Sequence, residues 1–597
     1  MAGLTVGVHF LSVSDQQHSF ATMFQTFITL ASVLVTLTVA SAAPLESLPF
    51  NEVKSGGELR TRISKNFERL HAERYQKDKL FTTSHDPKWP GDMEGRVTLG
   101  LVLDAQALGI DEPEIDELFA EFPKHYNKDG YIGPIYFPDH IDEQQLSSHG
   151  WVLRALSEYW LWKHKPETKQ QIQRMVETVV LPTQGLHHEY PLDPGDRKQT
   201  GEASGTTVAT SGKWRLSSDI GCDFIFFDGV VQAYAITRDE RVVPIIEEMV
   251  ALFNRMDILA IQAQTHATLS GTRAMIRWYE LCGKKEVLDR AEQVFTIYLK
   301  EGCSENFENY NWFGRPDWTE PCAIVDSYLV ACQLWQHTGK SEFLEAAQSI
   351  YFNGIAATQR SNGGFGLNNC SGAHHAHLFT IGDEAFWCCT MRGGEGLSAA
   401  ARYCAFTGKD SLWLATYMDN EITATLASGK FSFKQQSQYP FGSSTFLTIA
   451  EAPSTAVSLQ LFSPSYLTPD SITVNGSAVE IKIEAGFIPV SRVWKSGDVL
   501  EFRFTPKLGR ISPRNIHSLP GYDLIREGPL LLAARLPEQP DDKKASPAAL
   551  PLSGELKVGE PGKPTLGETP LVPVYHLLDP AYDHTKGSWR QMLFPRN

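Results

Sequence analysis

Residues 324–340 read IVDSYLVACQLWQHTGK, and this stretch decides the fold. Ile324, Tyr328, Ala331 and Trp335 recur at i, i+4, i+7 and i+11, one apolar face of a helix. The run ends in Trp335-Gln336-His337-Thr338-Gly339-Lys340, where a glycine in left-handed conformation can stop one helix before the next begins. The same ending occurs at Trp278-Tyr279-Glu280-Leu281-Cys282-Gly283-Lys284 and at Tyr403-Cys404-Ala405-Phe406-Thr407-Gly408-Lys409, with a glycine-free version at Ala233–Asp239. An array of helical hairpins with variable loops therefore spans about 95–417. The uneven spacing suits a closed (α/α)6 barrel, with an irregular helical solenoid as the alternative.

Beyond residue 418 the period falls to two. Val457, Leu459 and Leu461 alternate with polar residues. Ile472-Thr473-Val474 runs into Asn475-Gly476, a hairpin-turn pair, and Val479, Ile481 and Ile483 carry the alternation onward. A second turn at Trp494–Asp498 leads into Val499–Phe504. Residues 418–597 thus read as a β-sandwich region. A Pro/Gly-rich segment over 537–570 is expected to be mobile, and Leu571-Val572-Pro573-Val574-Tyr575 to return one strand to the sandwich.

The remaining chain is short on the amino-terminal side. Phe24–Ala43 carries no charge and ends in Ala40-Ser41-Ala42, the layout of a secretory signal over 1–43, with Met23 as an alternative start. An uncleaved membrane anchor is the competing reading. Residues 44–94 form a lead-in. The expected location is extracellular, with no stable membrane partner after cleavage.

The 597 residues carry 70 acidic and 54 basic side chains, a net charge of −16. That balance excludes a sequence-independent nucleic-acid binder, which needs a cationic footprint. At 42% hydrophobic and 21% charged the chain is globular. Nine cysteines are too few for a disulfide scaffold of this length.

Two cysteine features carry chemistry: Glu320-Pro321-Cys322 and the vicinal pair Cys388-Cys389. Residues i and i+2 share no helix face, so Glu320 and Cys322 converge only at a helix start, where Pro321 is tolerated. Three thiolates and a carboxylate would form a four-coordinate zinc site. On spacing alone the alternative, a core thiol at Cys322 and disulfides at Cys388 and Cys389, stands equally.

The Glu-x-Cys with a downstream Cys-Cys resembles glycoside hydrolase family 127, the β-L-arabinofuranosidase family. His149-Gly150-Trp151, Thr265-His266-Ala267-Thr268, Val474-Asn475-Gly476, Val493–Asp498 and Arg526–Leu530 support the likeness from about residue 90 to the end. The resemblance implies a retaining hydrolase of terminal β-L-arabinofuranosides on plant cell-wall glycans or glycoproteins. It implies Zn2+ held by Glu320, Cys322, Cys388 and Cys389, with Cys388 also the nucleophile. It implies Glu305 as acid/base, with Glu301 and Glu308 as alternatives because the spacing to Glu320 is one residue short. His149 and His266 would be substrate-binding residues, while His374, His375 and His377 are read as loop residues. Where relatives carry Gly-Gly-Met-Asn-Glu, this chain has Phe224-Ile225-Phe226-Phe227-Asp228, expected to line the pocket and alter the sugar accepted.

Two rivals remain: a hydrolase of another furanose or branched sugar acid, or a non-catalytic carbohydrate-binding protein with a structural zinc. A polysaccharide lyase on a similar toroid would not need three thiolates. The sequons Asn369-Cys370-Ser371 and Asn475-Gly476-Ser477 are compatible with export. The six other cysteines, Cys222, Cys282, Cys303, Cys332, Cys370 and Cys404, are even in number, so pairing is arithmetically open.

Overall fold

The computed structural model describes residues 45–82, 89–196, 207–316, 319, 322–366, 372–380, 384–536, 548–559, 563–575 and 588–596. The signal segment, Glu320, Pro321 and the sequon at Asn369 lie outside them. No helix among the described residues is long and apolar enough to cross a membrane.

The helices relevant to the site are α1 (Gly57–Leu70), α2 (Asp92–Leu108), α3 (Pro113–Glu121), α4 (Glu143–Lys163), α5 (Pro166–Met175), α6 (Asp223–Thr237), α7 (Val243–Arg255), α8 (Thr265–Cys282), α9 (Lys285–Ile297), α10 (Cys322–Thr338), α11 (Ser341–Ile350) and α12 (Cys389–Arg402). Helices α2, α4, α6, α8, α10 and α12 pack in that order, and α12 packs on α2, which closes the ring. Each of the first five is backed by the helix after it, and α12 is backed by α1. This is an (α/α)6 barrel.

The composition of the helices explains the layering. The inner helices are buried nearly all round, as in α6, where Phe224, Ile225, Phe226 and Phe227 are all within the core. The outer helices α5, α7, α9 and α11 bury one stripe each, such as Val287, Leu288, Ala291, Val294 and Phe295 in α9. The 324–335 face is buried as expected. Helices α8 and α10 end on Gly283 and Gly339 at φ 69° each, while α6 ends on Arg238 at φ 55°. Helices α4 and α6 cross backbone to backbone at Gly150 and Gly229. A Cβ on Gly150 would stand 2.5 Å from the Ile225 carbonyl oxygen.

Several expectations are corrected. The barrel begins at α1, not near residue 95. The lead-in also supplies strand Val53–Ser55, which pairs with Asn420–Leu426, and strand Glu46–Ser47, which pairs with Ala405–Thr407. The fourth hairpin ending is not a helix ending: α12 stops at Arg402 and Ala405–Thr407 is a strand, because the ring is already closed.

The sandwich is a seven-stranded and a five-stranded sheet built from residues 405–506 with the two amino-terminal strands. Asn475 and Gly476, at φ 51° and 78°, make the two-residue turn, and Val474 pairs with Ser477. The following strand ends at Val479, on the sheet edge, and Ile483 is exposed.

Residues 508–595 form a separate sheet. Strand Thr569–Pro573 pairs with Leu530–Arg535 in that sheet rather than returning to the sandwich. The 537–570 segment itself contains paired strands Leu556–Lys557 and Thr565–Leu566. Strand Ser588–Gln591 of the same sheet pairs with His377–Thr380, ahead of the vicinal cysteines.

Candidate active site

The site lies where the inner helices begin. Cys322 is the first residue of α10 and Cys389 the first of α12, with Cys388 capping α12 at φ −151°. Helix starts favour negative charge, so both thiols emerge where a thiolate is stabilised. The Cys388 and Cys389 sulfurs are 3.3 Å apart, and Cys322 Sγ is 3.5 Å from Cys389 Sγ. All three sulfurs lie within 4.8 Å of one another and are buried. A disulfide needs about 2.05 Å, so these contacts are not bonds. Tetrahedral zinc with sulfur at about 2.3 Å sets sulfurs about 3.8 Å apart, and the cluster fits a metal of that size and softness. Glu320 directly precedes the cluster in sequence and is outside the described residues.

The electrostatics are those of three coupled acids. Burial opposes ionisation of Cys322, but hydrogen bonds from Cys388 and Cys389 and the nearby His266 and Arg96 hold its thiol well below the ordinary value. Burial and the charge of Cys322 push Cys388 well up. Ionisation of one thiol thus opposes ionisation of its neighbour.

His266, second residue of α8, supports this region. Its Nδ1 meets Asp326 Oδ2 at 2.7 Å, and its ring stacks on Trp151 with centroids 5.6 Å apart. Its buried Nε2 has no hydrogen-bond partner among the described residues, and burial lowers the imidazole pKa. Asp326 lies one turn beyond Cys322 in α10. Its other oxygen accepts from Arg273 at 2.7 Å and from Arg392 at 2.6 Å.

A buried ionic network continues across the barrel. Arg154 pairs with Asp228 at 3.1 Å and with Glu395. Arg273 reaches Glu395 at 2.9 Å, Arg277 reaches Asp228 at 2.8 Å, and Arg392 pairs with Glu395. The guanidinium groups of Arg96, Arg154 and Arg392 lie 4.2, 4.9 and 4.6 Å from the Trp151 ring. Burial draws Arg154 and Arg392 down to about 9, whereas the arginines around Asp326 hold its carboxyl well below the carboxylate range. The sequence reading missed this network. Its signal was spacing: Asp326 follows Cys322 by four residues and Arg392 follows Cys389 by three, each one turn below a thiol.

Other expectations change. Both ring nitrogens of His149 are taken by main chain, Nδ1 by Gln145 O at 2.7 Å and Nε2 by Ile132 N at 3.2 Å. His149 therefore ties α4 to the Ile132 loop instead of meeting a sugar hydroxyl. Asp228 is engaged by three arginines and does not present a carboxylate to a pocket.

Glu305 is buried and accepts from the main-chain N–H groups of Arg514 and Asn515 and from the Ser518 hydroxyl. It anchors the 514–518 loop; its contacts do not include the thiols. Glu301 meets His517 at 3.0 Å, and Glu308 Oε1 accepts from Asn306 at 2.6 Å. His375 Nδ1 lies 2.9 Å from the His377 carbonyl oxygen, and His377 packs on Trp589. Cys282, Cys303, Cys332 and Cys404 form no disulfide, so the open pairing does not occur among them.

Comparisons with known proteins agree with this geometry. Residues 411–505 match the model described as "Beta-L-arabinofuranosidase, GH127 middle domain". A solved GH127 β-arabinofuranosidase superposes with TM-score 0.67 at 13% identity, over 93% of this chain and 98% of that one. Residues 411–505 are thus similar to a GH127 middle domain, and the chain shares the fold of this GH127 structure. A GH127 β-L-arabinofuranosidase from Geobacillus stearothermophilus T6 gives TM-score 0.65 at 13% identity, over 91% of this chain and all of that one. A structure titled only glycoside hydrolase gives 0.63 at 15%, over 94% and 98%. No curated protein sequence matches. The matched residues 411–505 lie in the sandwich, and the buried thiols lie in the barrel.

Proposed function

We propose that this chain is an exported, zinc-dependent retaining hydrolase of terminal β-L-arabinofuranosides, with Cys388 as nucleophile. The observation that carries the reading is the cluster of three buried sulfurs at two helix starts. Cys322, Cys388 and Cys389 would hold zinc together with Glu320. Bound there, zinc supplies the positive charge that keeps the thiols deprotonated.

The chain's own groups carry the chemistry. The Cys388 thiolate attacks the anomeric carbon, a carbon–sulfur bond forms, and the bond to the leaving oxygen breaks as that oxygen takes a proton. Water, losing its proton to the same carboxyl group, then displaces the sulfur and restores the thiolate. Two inversions give net retention. The proton carrier is a carboxyl of the 301–308 segment: Glu305 holds the position the resemblance assigns, with Glu308 and Glu301 as the other candidates. His266 Nε2, buried near the thiols with no partner among the described residues, is suited to a sugar hydroxyl.

The test is hydrolysis of an aryl β-L-arabinofuranoside, followed by NMR of the first-formed anomer, with zinc measured per chain. The wild type is expected to release the retained anomer and to hold one zinc. Cys388→Ser is expected to lose about 10³-fold or more in kcat. Wild-type rate in Cys388→Ser ends the nucleophile assignment. Failure to hydrolyse, with zinc still bound, favours the carbohydrate-binding rival.

A further inference from the structure

The Ala385–Thr390 stretch is buried except at two places. Ala385, Cys388, Cys389 and Thr390 are at most 6% exposed, while Phe386 and Trp387 are 39% and 41% exposed. Two large aromatic rings thus emerge from the two residues directly before the vicinal cysteines. They meet edge to face, with centroids 5.0 Å apart at 81°.

This pair is held firmly. The Tyr75 hydroxyl donates to the Phe386 carbonyl at 2.7 Å, and the Arg74 guanidinium lies 3.8 Å from the Phe386 ring centre. Just before it, Glu384 accepts from Arg69 Nε at 3.0 Å and from the Thr390 hydroxyl at 3.2 Å. The Cys388 and Thr390 N–H groups both reach the Ala385 carbonyl, closing the turn that displays the rings. The Phe386 ring is thereby engaged by Arg74 as well, while Trp387 meets Phe386 in the T-shaped contact and remains 41% exposed.

Exposed aromatic surface fixed in place next to a buried reactive centre marks a recognition surface. The reacting ring must reach the buried thiols, so only the part of the substrate left outside can reach a rim residue. We propose that Trp387, braced by Phe386, is the platform for the leaving-group side of the substrate, stacking on the C–H face of a second sugar ring. This rests on the hydrolase reading above.

The experiment compares a synthetic arabinofuranosyl disaccharide with methyl β-L-arabinofuranoside on the full chain loaded with zinc, for the wild type, Trp387→Ala and Trp387→Phe. Trp387→Ala is expected to lower the disaccharide-to-methyl ratio of kcat/KM about 10-fold, mainly through KM, and Trp387→Phe to restore most of it. An unchanged ratio, including one where both substrates slow equally, overturns the platform. If the wild type hydrolyses neither substrate, the hydrolase reading has failed, and calorimetric binding of the disaccharide decides the platform. About 10-fold weaker binding to Trp387→Ala than to the wild type supports it, and equal binding overturns it.

Discussion

The thiol cluster and the ionic network beneath it are both buried and both polar, yet they are satisfied in opposite ways. In the network, four guanidinium groups interleave with Asp228, Asp326 and Glu395, and each carboxylate meets at least two arginines. The three fully buried guanidinium groups, Arg154, Arg273 and Arg392, match the three carboxylates in charge, and the fourth, Arg277, is 22% exposed. In the cluster, three groups that can only become negative face one another. The first arrangement pairs opposite charges from the protein's own side chains, whereas the second brings together groups of one kind that could hold a metal ion.

Asp326 joins the two regions, holding Arg273 and Arg392 on one oxygen and His266 on the other. Asp326→Asn breaks the balanced side. It leaves two buried cations short of a carboxylate, and the expected loss is about 3–5 kcal/mol, read as a shift of the urea unfolding midpoint. A loss under about 1 kcal/mol would mean that water or Glu395 substitutes for Asp326 and that the network is not self-contained.

A third solution appears at His149, which is buried and kept neutral. Burial lowers it to about 4 from its ordinary 6.5. The unfolded chain then binds a proton between those values that the folded one refuses, so stability present near neutrality is lost as pH falls from about 6.5 to about 4. The loss from this residue is about 3 kcal/mol. His149→Gln should flatten the stability–pH profile over that window, while Asp326, whose carboxyl is held low, keeps its contribution until more acidic pH. An unchanged profile would show that His149 is hydrated on folding.

The helical period and the Asn475-Gly476 turn were readable because they are local. The face through Ile324 and Trp335 needs only its own side chains, and the turn needs only two residues tolerant of positive φ. The strand at Thr569–Pro573 was placed in the wrong sheet because an apolar alternation states that a strand exists, not which edge receives it. The same limit hid the two amino-terminal strands, whose partners lie more than 300 residues away. The thiols were found by motif, but the main-chain contacts of His149 and Glu305 were not. A histidine or glutamate near a site is indistinguishable in sequence from one spent on main-chain groups.

Glu305 gives the smallest and most discriminating effect. It is a buried carboxylate closed neither by arginine nor by a metal but by donors from the 514–518 loop. In Glu305→Gln one oxygen becomes an amide N–H₂ that would face those donors, so the loop keeps only part of its anchoring. The expected cost is about 1–2 kcal/mol, the scale of hydrogen bonds to a charged acceptor. If anchoring is the whole role, stability falls while kcat changes little and its pH profile keeps its shape. If Glu305 also moves the proton, kcat falls by about 10²–10⁴-fold and an aryl glycoside with an acidic leaving group is spared in its first step. Glu308→Gln run beside it assigns the proton to the carboxylate whose loss removes a limb of the pH profile, because an anchor alone cannot move that limb.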